Sequence, residues 1–241
     1  MAEITEIAPD MFRISVYAPR LRLGFNHFLI RDDEPLLFHA GFRAMFPELR
    51  EAVSRLIDPS TIRHIGFSHF ESDECGALNH WLDLAPQAKP LCGLVGALVN
   101  INDFADREAR VLQGDEVLVT GKRRLRLIQT PHLPHGWDAG VLFEETDRTL
   151  FCSDLLLQMG ECAPVTAYSI LEPARGALIE AEAGPFAHAT PYTAETGRML
   201  EALAAEEPRT LATMHGSSFS GDGGGELRGF AGVLREVLGQ R

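Results

Sequence analysis

Ser68-His69-Phe70-Glu71-Ser72-Asp73-Glu74-Cys75-Gly76 places one imidazole and three carboxylates within six residues. The preceding Ile62-Arg63-His64-Ile65-Gly66-Phe67 has the apolar content of a strand. The following Ala77-Leu78-Asn79-His80-Trp81-Leu82 spaces its apolar side chains as a helix does, so the charged cluster falls on the turn between them. Polar groups that close repel one another and resist desolvation unless cations or water compensate them. The segment therefore reads as a binuclear metal site. Taken alone it also suits a plain helix start, with Asp73 as the N-cap, Glu71 and Glu74 as first-turn carboxylates and His69 as a strand-end histidine. The rest of the chain bears on the choice.

Three further segments put a candidate ligand after an apolar strand, where loops on one rim of a sheet can assemble a site. They are Gln129-Thr130-Pro131-His132-Leu133-Pro134-His135-Gly136-Trp137-Asp138, Leu150-Phe151-Cys152-Ser153-Asp154 and Ala212-Thr213-Met214-His215-Gly216. Each alone is weak, since a strand-end Asp is commonly a cap and a lone His commonly structural. Together, the order cluster, His, Asp, His resembles the binuclear metallo-β-lactamase superfamily over essentially the whole chain. Within it, His69-Phe70-Glu71-Ser72-Asp73 resembles the H-x-E-x-D signature of the diiron domain of flavodiiron proteins and of related stand-alone oxygen-binding diiron proteins. Gly24-Phe25-Asn26-His27-Phe28-Leu29-Ile30 is similar to the strand of that family that begins with a Tyr-Asn pair. The resemblance implies an α/β fold, a metallo-β-lactamase-like αββα sandwich of two mixed sheets with helices on the outer faces. It implies His69, Glu71 and His135 on a first metal, Asp73 and His215 on a second, and Asp154 bridging the two.

A carboxylate at position 71, where the hydrolases of the superfamily have an imidazole, makes the site harder and more negative. That favours iron or manganese over zinc, so the expected cofactor is a pair of irons, with zinc or manganese as alternatives. The chain departs from the family pattern in three places. Glu74 follows Asp73 where a His is usual, so it either ligates the second metal or leaves an open position there. His132 rivals His135 as ligand, with His135 preferred because it keeps the three-residue step to Asp138. Phe38-His39-Ala40-Gly41 stands where an Asp is common, so a supporting carboxylate is missing. With Glu74 counted as a ligand beside Glu71, Asp73 and Asp154, four carboxylates balance two divalent irons, and a diferric resting state that is hard to reduce is expected. Replacing Glu74 by His should then raise the potential.

A formal charge of −12 and pI near 5.2 repel polyanions. The one basic run, Lys122-Arg123-Arg124-Leu125-Arg126-Leu127, alternates as a strand with one wet face would. Nucleic acid is not an expected partner. No apolar stretch approaches the roughly 18 residues that span a bilayer, and the N-terminus lacks a leader pattern, so no membrane association and a cytoplasmic location are expected. Cys75, Cys92, Cys152 and Cys162 form no CxxC pair and read as reduced thiols.

Strands are expected at Met11–Tyr17, Phe25–Ile30, Pro35–Phe38, Lys89–Cys92, Glu116–Val119, Leu125–Thr130, Gly140–Glu144, Thr149–Ser153 and Thr210–Met214. Helices are expected at Phe46–Ile57, Gly96–Phe104, Leu178–Ala183, Thr193–Glu206 and Leu227–Leu238, and Gly221-Asp222-Gly223-Gly224-Gly225 reads as a flexible surface loop. No low-complexity linker divides the chain, so residues 1–241 are expected to form a single diiron domain. Too few residues follow His215 for a flavodoxin-like module of ~100 or more residues. The implied function is a binuclear non-haem iron protein that binds or reduces O₂ or NO, as a reductase served by an external flavoprotein or rubredoxin-type donor or as a sensor. The resemblance also suggests a homodimer. The alternative is a metal-dependent hydrolase using a metal-bound hydroxide, with Asp73 or Glu74 as base.

Overall fold

Two seven-stranded mixed sheets make up the centre of the computed structural model, which describes residues 1–239. The first sheet runs in chain order: β1 (Glu3–Ala8), β2 (Met11–Ala18), β3 (Leu23–Ile30), β4 (Leu36–Phe38), β5 (His64–Gly66), β6 (Lys89–Cys92) and β7 (Arg110–Val111). It is antiparallel from β1 to β4 and parallel from β4 onward. The second contains β8 (Val117–Val119), β9 (Arg124–Gln129), β10 (Gly140–Glu144), β11 (Thr149–Phe151), β12 (Val165–Thr166), β13 (Thr210–Ala212) and β14 (Ser218–Ser220), in the order β12-β14-β13-β11-β10-β9-β8.

Period-two alternation divides the apolar side chains into three layers. Between the sheets lie Met11, Phe28, Ile30, Leu36 and Phe38 from one and Leu125, Leu127, Leu142, Phe151 and Ala212 from the other. The Phe151 ring packs against Phe28 and Phe38 at centroid distances of 5.2 and 5.6 Å, contacts worth ~0.5–1.5 kcal/mol each beyond burial alone. The outer face of the first sheet, with Ile14, Leu29, Leu37 and Ile65, is covered by the helices Phe46–Ser54 and Leu78–Leu84 through Leu49, Val53, Trp81 and Leu82. That of the second, with Val141, Phe143, Leu150 and Leu211, is covered by Leu171–Glu182, Thr196–Ala205 and Gly223–Leu238. The αββα sandwich that the resemblance implies is the observed fold.

Local differences have local causes. The helix expected at Leu178–Ala183 begins at Leu171, because Pro173 sits in the first turn, where its missing N–H would have no partner anyway. β1 was not expected; its Ile4 pairs with Ile14 of β2. The glycine run is not a loop: Gly223–Gly225 form the first turn of a helix capped by Asp222, whose carboxylate accepts from Gly225 N at 2.9 Å. A Cβ on Gly223 would stand 2.6 Å from the Pro208 carbonyl oxygen, so glycine lets this helix approach closely. The arginines of the basic run are paired, Arg123 with Asp147, Arg124 with Glu145 and Arg126 with Glu145 and Glu206.

β9, β11 and β13 point the same way, so their C-terminal ends share one rim. The loop after β5 is brought to that rim by Gly140 N donating to the Ser68 carbonyl at 2.9 Å. Asn26 staples the sheets: its backbone N–H donates to Met214 O at 2.8 Å, and its amide to Thr213 O and Gly216 O at 2.8 and 2.9 Å.

Candidate metal centre

Beyond β5 the chain makes a single helical turn, Ser72–Cys75, clamped against the loop after β4. Ala40 N donates to Glu74 O at 2.6 Å, Ala77 N to Gly41 O at 2.7 Å, and the Trp81 indole to Ala40 O at 2.9 Å. This clamp aims Glu71 and Asp73 at the rim. The loop carrying His135 is pinned by His132 N donating to Gly136 O at 2.7 Å, and Asp138 ties it to the cluster by accepting from Phe70 N at 3.1 Å. Asp154 is presented by Ser153, which adopts a left-handed φ of 55°, a strained conformation of the kind that concentrates at functional sites. His215 precedes Gly216, whose φ of +110° is open to glycine alone, and its Nδ1–H donates to the Gly24 carbonyl at 2.8 Å.

These loops bring His69, Glu71, His135 and Asp154 together, with one donor atom from each lying within 4.8 Å of the others. His135 Nε2 is 3.1 Å from Glu71 and 3.4 Å from Asp154, and His69 Nε2 is 3.7 and 3.6 Å from the same two. On the other side of Asp154, His215 Nε2 lies 3.2 Å from its second oxygen and 3.5 Å from Asp73. Five side chains expected as ligands, His69, Glu71, Asp73, His135 and His215, therefore gather around a sixth, the Asp154 carboxylate. His132, by contrast, is exposed.

The donor atoms fit a cation better than they fit one another. His69 Nε2, His135 Nε2 and Asp154 Oδ1 are buried without a hydrogen-bond partner, an arrangement that is costly unless something else satisfies it. Burial disfavours charge on His69, but Glu74, Glu71 and Asp154 outweigh it and raise its pKa to about 10. Burial is likewise outweighed at His215, where Asp154 and Asp73 raise the pKa to about 10, and at His135, which is raised by Glu71 and Asp154. The neighbouring His135 and His69 imidazoles hold Glu71 at about 2. Burial would raise Asp154, but the three imidazoles hold it low.

The signs fix a pH dependence. In the metal-free protein, the stability gained from His69 and His215 is complete below their ordinary 6.5 and is lost as pH rises through about 10. That from Glu71 is present above its ordinary 4.5 and is lost as pH falls towards 2. A bound cation requires neutral imidazoles, so metal uptake at pH 7 is expected to release about two or more protons, and affinity to rise with pH. Calorimetric titration in two buffers of different ionisation enthalpy measures this; buffer-independent heats would contradict it.

Glu74 is not placed as a ligand, nor as a base. Its carboxylate is buried and accepts from Ser68 N (2.7 Å), Ser68 Oγ (2.8 Å), His69 N (3.0 Å) and Ser153 Oγ (3.2 Å), which uses its lone pairs. Three of the four carboxylates, Glu71, Asp73 and Asp154, therefore lie at the rim, and Glu74, included in the neutral count, is turned away from it. Glu74 instead stands behind His69, 3.3 Å from Nδ1. It also supplies the supporting carboxylate expected to be missing near position 39: His39 is fully buried, its Nε2 3.0 Å from Ser68 Oγ and 3.5 Å from Glu74. Ser68, Ser153 and His39 carry this support, and no spacing in the sequence marks them. His27 is also buried, with Nδ1 on the His39 carbonyl at 3.1 Å.

The profile described as "ODP family beta lactamase" matches residues 23–174. Flavo-diiron protein FprA2 of Clostridium acetobutylicum is 24% identical over 164 residues, covering 63% of this chain and 41% of the relative. Nitric oxide reductase of Moorella thermoacetica is 26% identical over 132 residues, covering 54% and 33%. Among solved structures, the rubredoxin oxygen:oxidoreductase of Desulfovibrio gigas superposes with a TM-score of 0.79 at 19% identity, covering 95% of this chain and 61% of that one. The chain thus spans less than two thirds of the length of these relatives.

Proposed function

The chain belongs to the ODP family of beta lactamases, and from that membership we propose that it is a binuclear non-haem iron protein that binds or reduces O₂ or NO. The observation carrying this reading is the convergence of partnerless buried donors, His69 Nε2, His135 Nε2 and Asp154 Oδ1, beside Glu71. His69, Glu71 and His135 would hold one iron, Asp73 and His215 the other, and Asp154 would bridge. A pair of irons supplies binding of a small diatomic between two ions and storage of the electrons that reduce it.

The protein's own residues prepare that chemistry. Glu71 and Asp154 contribute hard oxygen donors that favour iron over zinc. The Gly24 carbonyl holds His215 with Nε2 free, and Ser153 with Glu74 does the same for His69. Glu71, half exposed where the other ligands are mostly buried, marks the open side. The net charge of −12 does not oppose a neutral diatomic, whereas it disfavours the anionic esters that a hydrolase of this fold would take.

The names of the relatives above support O₂ and NO as candidates. The electrons would come from a redox donor outside the two-sheet unit, such as a flavoprotein or rubredoxin-type protein; without one the site would act as a sensor. A homodimer and a cytoplasmic setting belong to the same reading. The exposed apolar run Leu94, Val95, Leu98, Val99 and Phe104 is surface available to a second copy, and no helix among the described residues is long and apolar enough to cross a membrane.

Metal analysis of anaerobically purified protein, with its optical response to O₂ and NO, tests the proposal. Iron, two ions per chain when loaded with Fe(II), and an oxygen-dependent ferric band are expected. Two zincs with phosphodiesterase or thioesterase activity would overturn it.

A further inference from the structure

Glu74 divides the centre into unlike halves. On one side, His69, Glu71, His135 and Asp154 offer four donors that already meet within 4.8 Å, and among the described residues this is the group that meets that spacing. Behind His69 lies a buried relay: Ser153 Oγ is 3.2 Å from His69 Nδ1 and donates to Glu74 at 3.2 Å, while Ser68 N, Ser68 Oγ and His69 N fix the carboxylate from the other side. The relay keeps the proton on His69 Nδ1 and leaves Nε2 to face the rim. On the other side stand Asp73, His215 and the shared Asp154, three side chains in place of four, with His215 Nε2 3.5 Å from Asp73 and 3.2 Å from Asp154. The side chain next to Asp73, which could have supplied a fourth ligand, is the one turned inward.

We propose that the two metal positions are unequal by construction: the His69–Glu71–His135–Asp154 position fills first and holds its ion more tightly, with Glu74 as its positioning residue, while the Asp73–His215–Asp154 position, one protein ligand short, fills second and exchanges readily. The inference rests on the binuclear reading above and assigns Glu74 the opposite role from a ligand of the second ion. The weaker position is also the one with coordination sites left for an external molecule.

Stepwise anaerobic titration of the metal-free protein with Fe(II), and with Co(II) as a spectroscopic stand-in, tests it by absorption and calorimetry, followed by desalting and metal analysis. Two phases are expected, their dissociation constants separated by about tenfold or more, with one ion per chain surviving desalting. His135→Ala removes the tight phase, whereas His215→Ala removes the weak phase and spares the tight one. Glu74→Gln keeps the side-chain volume but removes the charge behind His69. It is expected to weaken the tight phase by about 10–100-fold with the weak phase little changed, and Glu74→Asp to recover part of the loss. Should Glu74→Gln fail to fold, the two histidine variants decide alone. Two equivalent phases, or loss of the tight phase in His215→Ala, would overturn the inequality and leave the binuclear reading standing. Absence of any retained ion would overturn both.

Discussion

If the centre binds two irons as proposed, Asp154→Asn is expected to strip it of both ions and of the proposed reaction with O₂ and NO. Among the described residues Asp154 is the side chain in contact with both halves: one carboxylate oxygen faces His69 and His135 at 3.6 and 3.4 Å, and the other faces His215 at 3.2 Å. An amide keeps the shape but carries no charge and has one acceptor oxygen, so it cannot serve two cations. The loss should therefore go well beyond the ~10–100-fold that removal of an outer-shell partner causes. The three imidazoles also lose the anion that favours their charged forms, so the buffer-dependent proton release on metal uptake should shrink. Metal analysis before and after desalting, with gas-uptake measurements, reads the result directly. Metal content equal to the parent's at both stages would show that Asp154 does not bridge.

Glu71→His is expected to reverse the metal preference without emptying the site. Glu71 sits 3.1 Å from His135 and 3.7 Å from His69, and the protons those rings hold in the metal-free state keep it ionised down to about 2. A third imidazole there would replace a hard anion with a neutral, softer donor, shifting the relative affinity towards zinc by about tenfold or more. The position is half exposed, so the larger ring can be accommodated without disturbing the buried layers. Competition between Fe(II) and Zn(II) under anaerobic conditions, read by metal analysis, measures the shift. An unchanged ratio would mean that Glu71 lies outside the coordination sphere. The same variant should lose its ferric absorption on exposure to oxygen while its thermal unfolding stays close to that of the parent.

Much of the fold could be read from residue order because the informative signals are short-range. Leu125, Leu127 and Leu142 alternate with outward neighbours as period-two strands require, and each candidate ligand falls just beyond such a strand. The preference for His135 over His132 came from a three-residue step to Asp138, and Asp138 is the residue that ties that loop to Phe70. β12 and β14 are three residues or fewer, too short to show a period, and β12 pairs with a strand far along the chain. The Gly223–Gly225 turn was misread because glycine lowers helix propensity, while here close approach to Pro208 decides in its favour.

The kinds of donor and their order along the chain were determined by sequence alone, since carboxylates and imidazoles placed after apolar strands carry their chemistry wherever they are aimed. Which way each one is aimed was decided only in three dimensions. Asp73 and Glu74 are adjacent and chemically alike, yet one faces the rim and the other is buried beneath His69. The donors that capture Glu74, from Ser68, His69 and Ser153, converge only once a strand of each sheet has delivered its loop to the same edge. A helical turn separates neighbouring side chains by about 100°, so packing against the loop after β4, and not residue type, selected the carboxylate left to meet a cation.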